Sequence, residues 1–304
     1  MRSLLFGKNG QVGWELQRAL SPLGELIAVD CDECDFTDPT AIRDLVRAIK
    51  PAVMVNAAAY TAVDEAEQEP DLAFAINAVA PEVLAGEAAC CGAWLVHYST
   101  DYVFDGSGDK PWRECEPTSP LSVYGRSKLA GDQAIQASGC RYMIFRTCWV
   151  YGARGGNFIR TILRLAQERD QLKIIDDQIG APTGAELLAD VTAHALRMAM
   201  LRPEIAGLYH LSASGEVSWY GYACFVLETA RKLGLSVKVG TRGLEAIAAS
   251  EYPSRAKRPL NSRLDTGKLQ NTFDLYLPPW QAGVARMLHE LYDEIPGIHH
   301  LCSK

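Results

Sequence analysis

The sequence predicts an α/β protein in which helices cover both faces of a parallel sheet. Through the first half of the chain, short apolar runs alternate with longer amphipathic segments, as in successive βα units. Glycines follow the first apolar run at Gly7, Gly10 and Gly13, where the chain passes from a strand into a helix. Beyond Tyr151 the alternation becomes less regular. We therefore expect a Rossmann-type doubly wound sheet followed by a smaller, mixed α/β C-terminal lobe that binds substrate.

Each predicted element rests on its local pattern of apolar residues. The predicted strands are 3–6, 25–29, 52–55, 94–98, 142–146 and 207–211. The predicted helices are 12–20, 40–49, 72–90, 121–137, 157–169, 186–201, 220–233 and 280–292. Ser119 and Pro120 resemble an N-cap and a first helical position, which supports a helix that begins just before Tyr124. Residues 1–150 form the predicted dinucleotide-binding domain and 151–304 mainly the lobe, with a segment near 183–214 returning to the sheet.

Composition excludes several classes of function. A chain of 304 residues with 48% hydrophobic and 22% charged residues is typical of a globular enzyme. The net charge of -7 argues against a nucleic-acid partner, because phosphate backbones are bound mainly by Lys and Arg. The N-terminal apolar run is too short for a signal peptide, and no uninterrupted apolar run is long enough to span a bilayer. We expect a cytoplasmic protein without a membrane partner, whose nine cysteines are reduced.

The glycine-rich turn predicts a dinucleotide site. Glycines allow the backbone to turn tightly and approach a pyrophosphate, which the N-terminus of the following helix attracts. Asp30 ends the second predicted strand, where a carboxylate accepts hydrogen bonds from the adenosine ribose hydroxyls. A carboxylate repels a 2′-phosphate, and no Arg follows Asp30 directly. The sequence therefore favours NADH slightly over NADPH.

Two further loops follow predicted strands on the same side. Asp35 and Phe36 offer an acid and an aromatic ring that could frame an adenine. Ala59, Tyr60 and Thr61 follow the third strand in a stretch of small residues, as a loop that presses against a cofactor requires. Either loop could also be a plain connection between elements.

A hydroxyl, a phenol and an ammonium predict proton transfer. Tyr124 and Lys128 are four residues apart, so on a helix they share a face. A nearby ammonium favours the phenolate and lowers the pKa of a phenol toward the working range of an acid-base catalyst. Thr100 ends the fourth strand, at the sheet edge where ligands bind, and supplies a second hydroxyl. These residue types suit reduction of a carbonyl group by a nicotinamide cofactor.

With these residues in place, the chain resembles the extended short-chain dehydrogenases/reductases, and among them the dTDP-4-dehydrorhamnose reductase family. The resemblance covers 4–291. It is carried by Gly7-Lys-Asn-Gly-Gln-Val-Gly13, Ser99-Thr-Asp-Tyr-Val-Phe-Asp-Gly106, Val123-Tyr-Gly-Arg-Ser-Lys128, Arg146-Thr-Cys-Trp-Val-Tyr-Gly152 and Gly180-Ala-Pro-Thr183. It implies reduction of the C4 keto group of dTDP-4-dehydro-6-deoxy-L-mannose to dTDP-L-rhamnose, a building block of lipopolysaccharide O-antigen.

The resemblance also implies roles for single residues. Tyr124 would donate the proton to O4, while Lys128 would hold the nicotinamide ribose and depress the pKa of Tyr124. Thr100 would tune the proton transfer. The implied cofactor contacts are Gly7, Gly10, Gln11, Val12, Asp30, Asp35, Phe36, Ala59, Tyr60, Thr61, Tyr124 and Lys128. The implied sugar-nucleotide contacts are Thr100, Asp101 and Trp149.

Some remaining polar residues were assigned to the ends of the substrate and to a metal. Asn261 and Arg263, in a late polar turn, could bind the diphosphate or the base, because Arg makes bidentate phosphate contacts. Glu15, Glu186 and Glu290 stand where some family members bind magnesium at a subunit contact, which also implies a homodimer. Carboxylate oxygens are the ligands that Mg²⁺ prefers.

Four alternatives stay open, of which the first is another nucleotide-sugar reductase of the same fold. Sugar-nucleotide epimerases and 4,6-dehydratases share the fold and the Tyr-x-x-x-Lys pair. A 4,6-dehydratase uses an Asp-Glu pair directly after the Thr, whereas Thr100 is followed by Asp101 and Tyr102. A regulatory subunit that serves a partner enzyme is also similar to this family, but Thr100, Tyr124 and Lys128 are all present here.

Overall fold

Twelve strands form one large sheet and three small ones. They are described in a computed structural model that covers residues 1–240 and 243–293. In chain order they are β1 (Arg2–Phe6), β2 (Glu25–Val29), β3 (Val53–Asn56), β4 (Trp94–Thr100), β5 (Arg141–Thr147), β6 (Val150–Tyr151), β7 (Leu172–Ile175), β8 (Ile179–Gly180), β9 (Thr183–Gly184), β10 (Gly207–His210), β11 (Val217–Ser218) and β12 (Leu244–Ile247). The large sheet has the order β10-β5-β4-β3-β1-β2 and is parallel throughout.

The helices alternate with the strands. They are α1 (Gln11–Leu20), α2 (Pro39–Ile49), α3 (Val63–Ala66), α4 (Pro70–Phe74), α5 (Ala80–Cys91), α6 (Val123–Ala137), α7 (Phe158–Glu168), α8 (Ala185–Ala199), α9 (Trp219–Lys232), α10 (Gly267–Phe273) and α11 (Trp280–Asp293). A π-helical turn, Ala75–Val79, joins α4 to α5. Most of the predicted strands and long helices are present, with ends that move by a few residues.

Both faces of the large sheet are buried, which confirms the doubly wound prediction. Successive residues of a strand point to opposite faces. Leu5 packs in one core with Leu16 of α1 and Leu188 of α8, whereas Leu4 packs in another with Ile42 of α2 and Ile135 of α6. The strand order changes direction between β1 and β3, and such a switch point opens a ligand crevice at the carboxyl ends of the strands.

The second half supplies elements to the sheet and to a separate core. β10 pairs with β5 at the edge of the large sheet, and α8 packs against α1. A further apolar cluster joins α7, α9 and α11 to β7 and contains Ile159, Tyr222 and Trp280. The division into domains at 150 stays a prediction, and the end of the predicted lobe lies outside the described residues.

The start of α6 differs from the prediction. The observed N-cap is Ser122, whose Oγ accepts a hydrogen bond from the Gly125 amide at 3.1 Å. Ser119 donates its own amide to the Val103 carbonyl instead, which holds that residue in a loop. The helix does begin just before Tyr124, as expected, but the prediction that Ser119 is the N-cap was wrong, because Ser122 caps the helix.

One helical stretch in the described part of the chain could cross a membrane by length and composition alone. It is Pro70–Cys91, with a mean hydropathy of 1.3. Half of this stretch is buried in the protein, where its C-terminal part packs against α2 and α6. Burial against other helices is typical of the core helix of a globular protein.

Candidate active site

The glycine turn after β1 is held by close backbone contacts. Gly7 adopts φ +81°, and a Cβ added there would lie 2.7 Å from the Ala58 amide nitrogen of the neighbouring loop. A Cβ on Gly13 would lie 1.9 Å from the Gly7 carbonyl oxygen. Both glycines are therefore required by sterics as well as by backbone conformation. Gly10 is the N-cap of α1, so the amides of Gln11 and Val12 begin a helix that can attract an anion.

Asp30 joins this turn to the end of β2. Its Oδ2 accepts a hydrogen bond from the Asn9 amide at 2.8 Å, and its Oδ1 accepts one from the Cys31 amide at 2.9 Å. Lys8 pairs with Glu33, which in turn accepts from the Asp30 amide at 2.9 Å. Backbone donors thus orient the Asp30 carboxylate at the predicted ribose position. The Lys8 cation lies on the same side of this turn.

A cavity of about 230 Å³ lies between the glycine turn and the ends of β2 and β3. The ring of Phe36 packs edge-on against Phe6, with centroids 5.2 Å apart, and forms one wall. The predicted cofactor residues that line it are Gly7, Gly10, Asp30, Phe36 and Ala59. Apolar walls with one carboxylate at the rim suit an adenosine group.

Other predicted cofactor residues lie outside this lining. Asp35 is exposed, and its carboxylate accepts from the amide and hydroxyl of Thr37, which makes a local turn. Tyr60 is tied to Asn77 through its backbone, and its hydroxyl donates to Glu69 at 2.6 Å, which raises the pKa of the phenol to about 12. Thr61 is exposed. Gln11 accepts from Asn157 at 3.1 Å, which links the glycine turn to the start of α7.

Thr100 and Asp101 lie at the carboxyl end of β4 and are both buried. The Thr100 hydroxyl donates to Asp101 Oδ1 at 3.1 Å and accepts from the Tyr102 amide. Burial raises the pKa of Asp101 to about 7, although the hydroxyls of Ser262 and Thr100 oppose the rise. Asp101 Oδ2 has no hydrogen-bond partner within the described chain. A buried carboxyl with an unused oxygen can bind a polar ligand group.

Tyr124 is half-buried in the first turn of α6, with its ring edge-on to Tyr102 at a centroid distance of 5.7 Å. Desolvation raises the pKa of its phenol, and only the Thr100 hydroxyl acts to lower it. The expected lowering of this pKa by Lys128 is therefore wrong for this structure. The amino group of Lys128 is bonded instead to groups of β4.

Lys128 is completely buried and points to the sheet. Its Nζ lies 2.7 Å from the Tyr98 carbonyl oxygen and 3.1 Å from Nε2 of His97. Burial lowers the pKa of Lys128 to about 8, and the carboxylate of Asp132 opposes this. Asp132 itself pairs with Arg146 at 3.1 Å in the interior. The helix places Tyr124 and Lys128 on one face as predicted, but the cation contacts β4 and not the phenol.

A second cavity, of about 850 Å³, opens between α7, β7 and the loop 249–258. Leu121 lines it three residues before Tyr124, and Arg258 lines it while also contacting Tyr102. The sequence analysis missed this cation, although 253–259 is a basic stretch in an acidic chain. Other lining residues that were missed are Phe158, Arg169, Gln178, Trp219, Tyr252 and Lys257.

Trp149 does not line this cavity itself but stacks on a residue that does. Its ring stacks on Trp219 with centroids 3.6 Å apart and planes at 15°. A Cβ on Gly180 would lie 2.7 Å from the Trp149 ring, which explains the glycine there. Trp219, rather than Trp149, is the aromatic residue of this pair that lines the cavity.

The predicted roles of Asn261 and Arg263 are corrected by their contacts. The buried amide of Asn261 donates to the carbonyls of Ser107 and Lys110 and accepts from Arg263, so it organises a loop. Arg263 makes a bidentate pair with Glu216, at 2.7 and 3.2 Å. Neither residue lines the large cavity. The donors that a phosphate-binding side chain would leave free are bonded here to other groups of the protein.

The three glutamates predicted to bind magnesium do come together. Glu15, Glu186 and Glu290 line a cavity of about 280 Å³ beside α1, α8 and α11. Arg286 stands among them, however, with its guanidinium 2.5 Å from Glu186 and 3.1 Å from Glu290. Across the described ranges, no group of three acidic, His or Cys residues is arranged to hold a metal. These residues as placed do not fit Mg²⁺, because a guanidinium already neutralises two of the carboxylates.

Comparison with known proteins shows the family of this chain. The model of the family described as the RmlD substrate binding domain matches residues 1–293. A dTDP-4-dehydrorhamnose reductase of Escherichia coli K12 is 56% identical over 296 residues, which cover 96% of this chain and 98% of the relative. This chain belongs to the dTDP-4-dehydrorhamnose reductase family.

Solved structures of the family share the fold. A dTDP-4-dehydrorhamnose reductase of Clostridium acetobutylicum superposes with a TM-score of 0.87 at 34% identity, covering 96% of this chain and 99% of that one. One from Bacillus anthracis, solved in complex with NADP, gives a TM-score of 0.86 at 33% identity, with 95% and 99% covered. The Rossmann-type fold predicted from the sequence is thereby confirmed for the family as well.

Proposed function

We propose that this protein reduces the C4 keto group of dTDP-4-dehydro-6-deoxy-L-mannose with NADH or NADPH, to give dTDP-L-rhamnose. Family membership supports the reaction class, since relatives of up to 56% identity carry that enzyme name. The observation that carries the proposal is the position of Tyr124. Its ring packs edge-on against Tyr102, a neighbour of Arg258, and it packs with Tyr60 of the β3 loop against one small apolar cluster that contains Val123.

We assign the Tyr124 hydroxyl to the region between the two cavities, because residues near it in sequence or in contact with it line each of them. Ala59 of the β3 loop lines the smaller cavity, which we assign to the adenosine end of the cofactor. Leu121 and Arg258 line the larger cavity, which we assign to the nucleotide sugar. Lys257 and Arg258 supply positive charge for a diphosphate, and Trp219 supplies a flat apolar wall.

Tyr124 delivers the proton and Thr100 orients it. The cofactor supplies a hydride to the carbonyl carbon and is oxidised, and the Tyr124 hydroxyl gives its proton to the carbonyl oxygen, which becomes the 4-hydroxyl. The raised pKa of Tyr124 keeps the phenol protonated at neutral pH, which is the form that reduction needs. Asp101, buried beside Thr100, accepts or donates a hydrogen bond to the sugar with its unpartnered oxygen.

Asp30 supports a modest preference for NADH. Its two carboxylate oxygens are fixed by the Asn9 and Cys31 amides at the rim of the smaller cavity, so a 2′-phosphate would meet a negative charge. Lys8 on the same rim offsets part of that charge. Both reduced cofactors therefore support turnover, with NADH ahead.

The test follows absorbance of the reduced nicotinamide after dTDP-4-dehydro-6-deoxy-L-mannose, made in situ by the upstream enzymes, is added to the purified protein. Stoichiometric oxidation of NADH or NADPH with dTDP-L-rhamnose as product is the expected result. A folded protein that binds cofactor but oxidises none of it with this substrate would contradict the proposal. Release of a 4-keto product from dTDP-glucose would indicate a dehydratase instead.

The remaining assignments stay predictions of this proposal. A homodimer and a cytoplasmic location are expected from the family resemblance, and sedimentation velocity of the full chain tests the first. A regulatory role in a complex with a larger partner enzyme is the alternative if the assay shows no turnover.

A further inference from the structure

A chain of three buried side chains links β3, β4 and α6 behind the reacting groups. Asn56 Nδ2 lies 3.1 Å from Nδ1 of His97, and Nε2 of the same ring lies 3.1 Å from Lys128 Nζ. Each of the three is at most 1% exposed. Water therefore does not compete for these hydrogen bonds, and the donor and acceptor roles must match within the chain.

The orientation of the Asn56 amide is fixed by the backbone. Its Oδ1 accepts a hydrogen bond from the Ala58 amide at 3.1 Å, and a backbone N–H can pair only with an oxygen there. The NH2 group of Asn56 therefore faces His97, and it donates to Nδ1. Burial holds the pKa of His97 well below its usual range, so the ring is neutral and carries one proton.

The position of that proton follows. Because Nδ1 accepts from Asn56, the single ring proton is on Nε2, and this N–H is directed at Lys128 Nζ. An ammonium group has three donors and no acceptor, so it cannot receive this hydrogen bond. A neutral amine can, and it still donates one hydrogen to the Tyr98 carbonyl and keeps one more for a ligand.

We propose that Asn56 and His97 are positioning residues that set the protonation of Lys128, by presenting an N–H donor that only the neutral amine can accept. The inference rests on the proposed function, in which Tyr124 gives its proton to the substrate. It makes the ammonium form of Lys128 a stronger acid than an ordinary lysine, so that it can return a proton to the Tyr124 phenolate after Tyr124 has given its own to the substrate.

The other charges around Lys128 do not account for this state. Asp132, one helical turn further along α6, favours the ammonium, but it is paired with Arg146 of β5. On β4, the Tyr98 carbonyl accepts a hydrogen bond from Lys128 whether the amine is neutral or protonated. The Tyr98 phenol is bonded to Thr192. Asp101 and Tyr124 are the remaining titratable groups on this side, and neither is bonded to the amine.

The decisive variant is Asn56→Asp. A carboxylate accepts from the Ala58 amide and also from Nδ1–H of His97, so it moves the ring proton to Nδ1. Nε2 then becomes an acceptor for the ammonium, and the pKa of Lys128 rises by about one unit or more. His97→Gln is a second variant with the same expected direction, because its amide oxygen can accept from the ammonium.

The measurement is the pH titration of the Lys128 side chain by NMR of ¹³C-lysine-labelled protein without cofactor, assigned with Lys128→Met. His210→Gln is the matched control: His210 is equally buried, bonds to the Trp112 carbonyl at 2.9 Å and is not bonded to Lys128. We expect a higher Lys128 pKa in Asn56→Asp and His97→Gln and no change in the control. An unmoved Lys128 titration in both folded variants would overturn the inference.

Turnover separates this inference from the proposed function. The limb of the pH dependence of kcat that belongs to Lys128 moves to higher pH in both variants, whichever of its protonation states is active. A moved NMR titration with an unmoved limb supports the role of Asn56 and His97 and refutes the catalytic role of Lys128. Lack of activity in the parent protein refutes the proposed function, and the NMR titration still decides the inference.

Discussion

Asp101→Asn should stabilise the protein at alkaline pH, although the residue lies in the candidate active site. Asp101 is 2% exposed, and burial raises its pKa from 3.8 to about 7. An asparagine keeps the shape and the acceptor for Thr100 without ever carrying the charge. The substitution therefore removes the free-energy cost of a buried carboxylate only at pH values at which Asp101 of the parent protein is ionised.

The sign follows from proton linkage. Between the unfolded pKa of 3.8 and the folded pKa of about 7, the folded protein holds a proton that the unfolded chain has lost. The stability of the parent protein relative to the variant therefore falls as pH rises through this window and is constant above it. Three units of pKa correspond to about 4 kcal/mol, and the part of the window between about pH 5 and pH 8 to about 3 kcal/mol.

Urea denaturation of both proteins, followed by circular dichroism from about pH 5 to pH 8.5, measures this difference. We expect the free energy of unfolding of Asp101→Asn, relative to that of the parent, to increase by about 3 kcal/mol as the pH rises across this range. Asp105→Asn is the matched control: Asp105 is only partly buried, and hydrogen bonds from Ser107 lower its pKa, so its removal should not stabilise. A pH-independent difference for Asp101→Asn would refute the reasoning, because it would mean that the carboxyl is ionised at no cost.

The remaining predictions concern the reaction. Tyr124→Phe should lower kcat by about 10²- to 10⁴-fold while NADH still binds, because only the proton donor is lost; unchanged turnover would exclude Tyr124 from that role. Asp30→Ala should weaken NADH more than NADPH in fluorescence titrations, and equal losses would mean that it does not contact the ribose. Arg258→Ala should raise KM for the sugar nucleotide more than it lowers kcat, because Arg258 lines the larger cavity even while it is paired with Asp64 at 2.6 Å, whereas Arg263→Ala should change KM little, because Arg263 does not line that cavity; the reverse ranking would return the phosphate role to Arg263.

Local patterns in the sequence were sufficient for the sheet and for the cofactor end of the site. Apolar runs with glycine turns between them mark βα units, because parallel strands buried on both faces must be continuously apolar. Gly7 and Gly13 could be recognised because their requirement is local and steric. The Tyr124 and Lys128 spacing placed both residues on one helix face for the same local reason.

Contacts between segments that are distant in sequence determined features that the spacing of residues along the chain could not predict. The pKa of Tyr124 was expected to fall, but it rises, since Lys128 Nζ is held by His97 and the Tyr98 carbonyl of a strand about 30 residues earlier. Asn261 and Arg263 were assigned to the substrate, but their donors are used by Ser107, Lys110 and Glu216.

The sequence by itself determined the α/β class, the glycine turn and the residues able to transfer a proton. Each of these follows from chemistry within one strand, one turn or one helix. The tertiary structure decided which cations line the larger cavity, where Lys128 points and why Glu15, Glu186 and Glu290 share their cavity with Arg286. Hydrogen-bond partners and desolvation depend on segments that meet only in the folded chain, so no local pattern can contain them.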